Sequence, residues 1–264
     1  MSDSGKYSNC ITLIGSGNIA WHLGVAFANK GVQIKQVVAR NKQEGEALAN
    51  QLQSSHTTQI SKTNLEVDLV VIAVNDAAIG SVVSNLPKSN AVIAHTSGSV
   101  SIEEITCCQN KAGVLYPLQT FSKNVETGKL SFPVCIEAGD ENSISLLKKY
   151  ASMLSNTVKE LKSEQRKRLH VSAVLANNFT NHLLTRAFDY LKANSIPEKL
   201  LISILNETLR KAATEGPQGA QTGPAIRGDS EVQKKHIALL QDFPELQEIY
   251  KVMSASIEAY YSKD

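Results

Sequence analysis

Apolar positions divide the chain into two regions with different periods. In the first, short apolar runs alternate with helical spacings. Strands are predicted over Asn9–Ile14, Ile34–Ala39, Asp68–Val74, Ala91–His95, Ala112–Tyr116 and Pro133–Glu137, with an edge strand at Thr157–Leu161. Asp68–Val74 is continuous and β-branched, as suits a parallel strand covered on both faces. Between the strands, Ile19, Leu23 and Phe27 repeat at helical spacing from Asn18 to Lys30, and Gly31 supplies a stop. Asn41 with Glu44 reads as a capping box opening a helix to about Leu52. Further helices are expected over Asp76–Leu86, from Ser101 with Glu104, and over Asn142–Met153.

After Leu161 the alternation stops. Ser163–Ala193 contains neither Gly nor Pro and reads as one long helix. Ser195 with Glu198 is expected to cap a second helix. A Gly/Pro/Gln-rich loop follows from Glu215 to Gly228, and two more helices are expected from Asp229 and from Asp242 with Glu245. Strand–helix alternation followed by helices alone predicts an α/β fold: a doubly wound, mostly parallel sheet over 1–161, then an all-helical domain over 162–264.

Composition narrows the classes. The 264 residues carry a net charge of +2 and are 42% hydrophobic, enough for a core and too neutral for a nucleic-acid or membrane surface. No apolar stretch approaches the ~20 residues of a membrane span. Met1–Asn9 is polar, unlike a secretory signal. Of the cysteines, Cys10 and Cys135 lie in apolar strands, and Cys107-Cys108 is a poor spacing for one metal. No metal site is expected, and the free thiols imply a cytoplasmic setting.

The strongest local signal is Gly15-Ser16-Gly17-Asn18-Ile19-Ala20, a G-x-G-x-x-A turn directly after a strand and opening a helix. In that context Gly15 permits the turn, Gly17 leaves room for a pyrophosphate, and Ala20 lets helix and strand approach. The free N–H groups of the helix end suit phosphate. The second strand ends in Arg40-Asn41-Lys42 rather than an acid, which favours a ribose 2′-phosphate, hence NADP(H) over NAD(H). The Rossmann-type reading places Val74, Asn75 and Thr96 near the cofactor, at the carboxyl ends of strands. Hydride transfer to a small carbonyl, imine or hydroxy compound needs a proton donor. Tyr116 and His95 are the candidates, with Ser97 and Asn178 orienting substrate. On the long helix Asn178, Asn181 and His182 share a face. The bland readings stand beside these: a loop-fixing His95, a strand-end Tyr116 packed on Pro117, solvated charges at Arg40 and Lys42, and an Asp229 that merely caps its helix.

These motifs, with His95-Thr96-Ser97-Gly98-Ser99, Tyr116-Pro117-Leu118-Gln119-Thr120-Phe121, Asn177-Asn178-Phe179-Thr180-Asn181-His182 and Thr222-Gly223-Pro224, resemble a bacterial family provisionally named NADP oxidoreductases. That family joins a Rossmann-like domain to a helical domain of unknown function. More distantly the chain is similar to pyrroline-5-carboxylate reductase, deazaflavin-dependent NADP reductases and β-hydroxyacid dehydrogenases. The resemblance implies an active site between domains and a homodimer built through the helical one. It also has departures. The β-hydroxyacid dehydrogenases carry a lysine one turn before an asparagine of the long helix, where this chain has Ala173 and Val174. Prephenate dehydrogenases have a His-Pro pair where this chain has Tyr116-Pro117. The missing lysine leaves a second reading open: a non-catalytic NADP(H)-binding redox sensor or partner-binding module.

Overall fold

The computed structural model describes residues 9–122 and 132–262, so Met1–Ser8 of the polar N-terminal segment lies outside the described residues. The chain forms two compact units, Met1–Ala176 and Asn177–Asp264.

Among the described residues the first unit is built on eight strands: β1 Cys10–Ile14, β2 Gln33–Val38, β3 Ser55–Thr57, β4 Leu69–Ile72, β5 Val92–His95, β6 Ala112–Pro117, β7 Val134–Ala138 and β8 Val158–Glu160. Their order is β3-β2-β1-β4-β5-β6-β7-β8. Neighbours pair in parallel except β6 and β7, which are antiparallel. The helices of this unit are α1 Asn18–Asn29, α2 Lys42–Gln51, α3 Ile79–Asn85, α4 Glu103–Thr106, α5 Glu141–Leu154 and α6 Ser163–Ala173. The chain order reverses between β1 and β4, so the carboxyl ends of these strands open onto a crevice, the usual ligand position in such sheets.

Period-two alternation divides the core. Ile11, Leu13, Leu69 and Val71 pack on one face with Leu23, Phe27, Leu147 and Tyr150. Ile14, Val70 and Ile72 pack on the other with Ile79, Val83 and Ile105. Every residue of β1 and β4 is buried, which is why β4 reads as a continuous apolar run and β1 as one broken only by Thr12, whose hydroxyl donates to the Asn64 carbonyl at 2.6 Å. The polar β3 escaped the pattern; it is an edge strand held by backbone pairing to β2 and by Ala39 N–H donating to the Thr57 carbonyl at 3.0 Å.

Helix α6 is tied to the sheet by a buried polar network. Arg166, 1% exposed, pairs with Glu137 of β7 and also donates to the Val100 carbonyl. Glu137 further accepts from the Ser163 backbone N–H at 2.8 Å and its hydroxyl at 2.9 Å. The same hydroxyl accepts from Ile102 N–H at 3.2 Å.

The expected single helix over 163–193 contains a change of winding. Val174–Phe179 is a π-helical turn between α6 and α7, Thr180–Ala193. The second unit continues with a 3-10 turn Glu198–Leu201, α8 Ile202–Glu215, α9 Ser230–Leu239 and α10 Pro244–Tyr261. Asp229 caps α9, its carboxylate accepting from Val232 N–H at 3.1 Å. Three expected caps are corrected. Ser101 does not cap α4, whose cap position is Ile102 and carries no side-chain hydrogen bond. Ser195 takes a left-handed φ of 57° and ends α7, with Ile196 N–H returning to the Leu191 carbonyl at 2.9 Å. Asp242 does not cap α10, because Pro244 opens that helix and Phe243 stands at its cap. Proline suits the first helical position and keeps the preceding residue out of the helical conformation, so Phe243 takes the cap position and Asp242 lies one residue further out.

Replacing Arg166 by Met strands the Glu137 carboxylate, and a loss of about 3–5 kcal/mol is expected. Urea unfolding of Arg166→Met, beside Arg166→Met with Glu137→Leu, checks this. The double variant is expected to recover part of the loss; equal stability of the single variant and wild type would contradict a stabilising role for the pair.

Candidate functional site

The G-x-G-x-x-A turn connects β1 to α1. Gly15 has a φ of +123°, and its N–H donates to the Val38 carbonyl at 2.8 Å. A Cβ there would sit 2.1 Å from the Ala73 carbonyl oxygen, so glycine is required by the fold itself. Gly17 differs: its backbone is ordinary extended and a Cβ would meet nothing within 4 Å. Nothing inside the protein demands glycine at 17, and the space above it is the kind a pyrophosphate needs. Asn18 is exposed, Ile19 half-buried and Ala20 buried; α1 has no side-chain cap and no acid in its first turn. Its terminal N–H groups are therefore available to an anion.

At the end of β2, Arg40 and Lys42 are exposed. Lys42 lies 3.8 Å from Glu46. The Asn41 side-chain Oδ1 is committed to capping α2, accepting from Glu44 N–H at 3.2 Å. Ser16 donates its hydroxyl to Glu44 at 3.1 Å, joining the glycine turn to the first turn of α2. This donor set suits a dinucleotide with a phosphorylated ribose: amides for the pyrophosphate, a guanidinium and an ammonium for the 2′-phosphate.

The next strand ends complete the rim. Val74 is half-buried and Asn75 exposed at the end of β4. Asp76 accepts from the Ser99 hydroxyl, linking this loop to the one after β5. There, Thr96 is buried, its N–H donating to the Ile72 carbonyl at 3.1 Å. Ser97 folds the loop on itself: its hydroxyl oxygen accepts from Ser99 N–H at 3.1 Å and Val100 N–H at 3.0 Å. His95 is 0% exposed, and its Nδ1 accepts from Ser97 N–H at 3.2 Å. Burial first, then the nearby Arg166 guanidinium, depress its pKa to about 4, against weaker opposing effects of the Ser101 backbone and Asp76. His95 is thus a neutral imidazole at pH 7.

Tyr116 stands near the carboxyl end of β6. Its hydroxyl lies 3.1 Å from His170 Nδ1, and the rings meet edge to face with centroids 6.0 Å apart. Burial raises the phenol pKa above its usual value; the Arg166 charge acts against this. Gly98 covers the pair: a Cβ at 98 would lie 2.6 Å from His170 Nδ1 and 2.8 Å from Tyr116 Cζ. The structure therefore joins the β5 loop, the end of β6 and α6 around one phenol–imidazole pair. Such a pair can hold and pass a proton.

Asn178 lies in the second unit, on the π-helical turn, exposed and 3.5 Å from the Asn177 amide nitrogen. The sequence reading missed His170. Its signal was the spacing of Ser163, Arg166 and His170, which share one polar helix face. Among the described residues no group of three or more His, Cys, Asp or Glu side chains could hold a metal ion. No helix among them is long and apolar enough to cross a membrane.

With this geometry in place, comparison with known proteins defines the class. Residues 10–98 match the family described as NADP oxidoreductase, coenzyme F420-dependent, and residues 132–257 match a domain of unknown function, DUF2520. A Bacteroides fragilis protein provisionally named an NADP oxidoreductase is 36% identical, covering 96% of this chain and 98% of that one, with a TM-score of 0.87. The chain belongs to the family of that protein, NADP oxidoreductases with a Rossmann-type domain and a helical domain, and NADP(H) is the cofactor. The fold recurs at lower identity. An Aspergillus terreus reductive aminase in complex with NADPH and ethyl levulinate is 14% identical (TM-score 0.71, covering 96% of this chain and 93% of that one). A Coxiella burnetii pyrroline-5-carboxylate reductase is 16% identical (TM-score 0.59, covering 97% and 98%). No curated protein matches the chain.

The depressed pKa of His95 has a sign. The unfolded chain takes up its proton near pH 6.5 and the folded chain near 4. Stability is full above pH 6.5 and is lost as pH falls from there to 4, by up to about 3 kcal/mol. Urea midpoints measured across that range should fall more steeply in wild type than in His95→Asn; parallel curves would exclude His95 as the cause.

Proposed function

We propose that this protein transfers hydride between NADP(H) and a small carbonyl, imine or hydroxy compound, with Tyr116 as the proton donor and His170 as its partner. The observation that carries the reading is the 3.1 Å contact between the Tyr116 hydroxyl and His170 Nδ1, at the rim that also bears the glycine turn. The bound cofactor supplies the hydride. Tyr116 keeps its proton at neutral pH because burial opposes the phenolate, so it can donate a hydrogen bond to a substrate oxygen or nitrogen as charge develops there. His170 can return a proton to the phenol through Nδ1. We give His95 and Ser97 a different part from Tyr116: they shape the loop that places Gly98 over the pair. Asn178 is kept as a substrate-orienting residue. Gly15, Ser16, Gly17, Asn18 and Ile19 form the pyrophosphate turn; Arg40, Asn41 and Lys42 face the 2′-phosphate; Val74, Asn75 and Thr96 line the nicotinamide side. The fold shared with a reductive aminase and a pyrroline-5-carboxylate reductase supports a carbonyl or imine as the first class to screen.

The working unit we propose is a homodimer through the helical unit. Among its described residues only Ala225, Leu240 and Ser254 are buried, while Leu200, Leu209, Leu239 and Val252 are each at least 66% exposed. Apolar exposure on that scale marks an interaction surface. Four free cysteines support a cytoplasmic location.

Calorimetry with NADPH and NADH tests the cofactor assignment. NADPH is expected to bind more tightly, Arg40→Ala to lose the preference, and Gly17→Ala to weaken both while folding normally. Equal affinities for both cofactors in wild type would overturn the role of Arg40. Tyr116→Phe should lower kcat by about 10²–10⁴ with NADPH affinity unchanged; full turnover in that variant removes Tyr116 from proton transfer. Sedimentation equilibrium should return twice the chain mass, and Leu209→Glu should shift it toward monomer; a monomeric wild type would sink the dimer.

A further inference from the structure

A second cluster of reactive groups lies apart from the rim. Cys107 and Cys108 follow α4, and their Sγ atoms are 3.3 Å apart. Both backbones are fixed: Cys107 N–H donates to the Glu103 carbonyl at 3.2 Å, Cys108 N–H to the Ile105 carbonyl at 3.0 Å, and the Lys88 ammonium to the Cys108 carbonyl. Cys107 is exposed and Cys108 half-buried. Lys88 precedes β5 and the pair precedes β6, so the thiols sit toward the amino ends of these strands, whereas Tyr116 lies at the carboxyl end.

We propose that this pair is a dithiol site for trivalent arsenicals. Two alternatives fit the geometry less well. A disulfide usually holds its Cα atoms about 4.4–6.8 Å apart, and neighbours along a trans peptide are held at about 3.8 Å, so a bond between them would be strained and readily reduced. Tetrahedral zinc, with sulfur bonds of about 2.3 Å, would spread two thiolates to about 3.8 Å and require further ligands. Among the described residues no third or fourth ligand is gathered. At the observed 3.3 Å, bonds of about 2.3 Å meet at roughly 90°. That angle suits a pyramidal, soft trivalent centre, which asks for two thiolates and keeps its organic substituent as the third bond.

The step balances without an oxidant. In R–As(OH)₂ two As–O bonds break and two As–S bonds form. Each thiol proton leaves with a hydroxide as water, and arsenic stays trivalent. The hydrogen bond to Cys108 raises the Cys107 pKa, so Cys107 rests as a thiol, slow toward reagents that need a thiolate. Condensation with loss of water consumes the thiol protons.

The test is intact mass spectrometry of the full chain treated with phenylarsine oxide. One phenylarsenic group per chain is expected, retained under excess 2-mercaptoethanol and released by 1,2-ethanedithiol. Cys107→Ser and Cys108→Ser should each lose the retained adduct. An unlabelled wild type, an adduct released by the monothiol, or one retained in Cys107→Ser would overturn the proposal.

Discussion

The buried ion pair between Glu137 and Arg166 is the contact on which the site depends. A guanidinium with 1% exposure is costly to desolvate, and here it is matched by a carboxylate, a backbone carbonyl and a serine hydroxyl. The pair fastens the first turns of α6 to β7 and to the loop after β5. One turn further along the same helix, His170 then meets the Tyr116 hydroxyl. The same charge reaches two other groups: it helps to keep His95 neutral and moderates the rise of the phenol pKa. One interaction therefore sets both the geometry and the electrostatics of the rim.

The two glycines of the β1–α1 turn divide the work of fold and ligand. Gly15 answers to the Ala73 carbonyl and to a positive φ, both internal constraints. Gly17 answers to neither, and its space is external. A turn assembled from one internal and one external requirement is what a dinucleotide crevice needs, and it sits where the strand order reverses.

Much of this was legible in the residues because burial on both faces writes itself into sequence. β4 is a continuous apolar run and β1 one broken only by Thr12, and each fills two cores with alternate side chains. What escaped was held by other means. β3 is polar and stays in the sheet through its backbone. The caps expected at Ser195 and Asp242 failed because a left-handed helix end and a proline decided those boundaries first. The π-helical turn at Val174–Phe179 has no Gly or Pro to announce it. The pairing of Tyr116 with His170 spans 54 residues and arises from the docking of α6, which no local pattern encodes. The glycine turn, by contrast, needs only its neighbours and was readable at once.

The central claim is that the protein carries out hydride transfer rather than merely holding NADPH. The most direct measurement is single-turnover reaction of NADPH deuterated at the nicotinamide C4 with a panel of small carbonyls and cyclic imines, followed by mass spectrometry of the products. The account expects deuterium on the former carbonyl or imine carbon from one C4 face only. Tight NADPH binding with no deuterium transferred to any member of the panel would contradict it and favour a cofactor-sensing role.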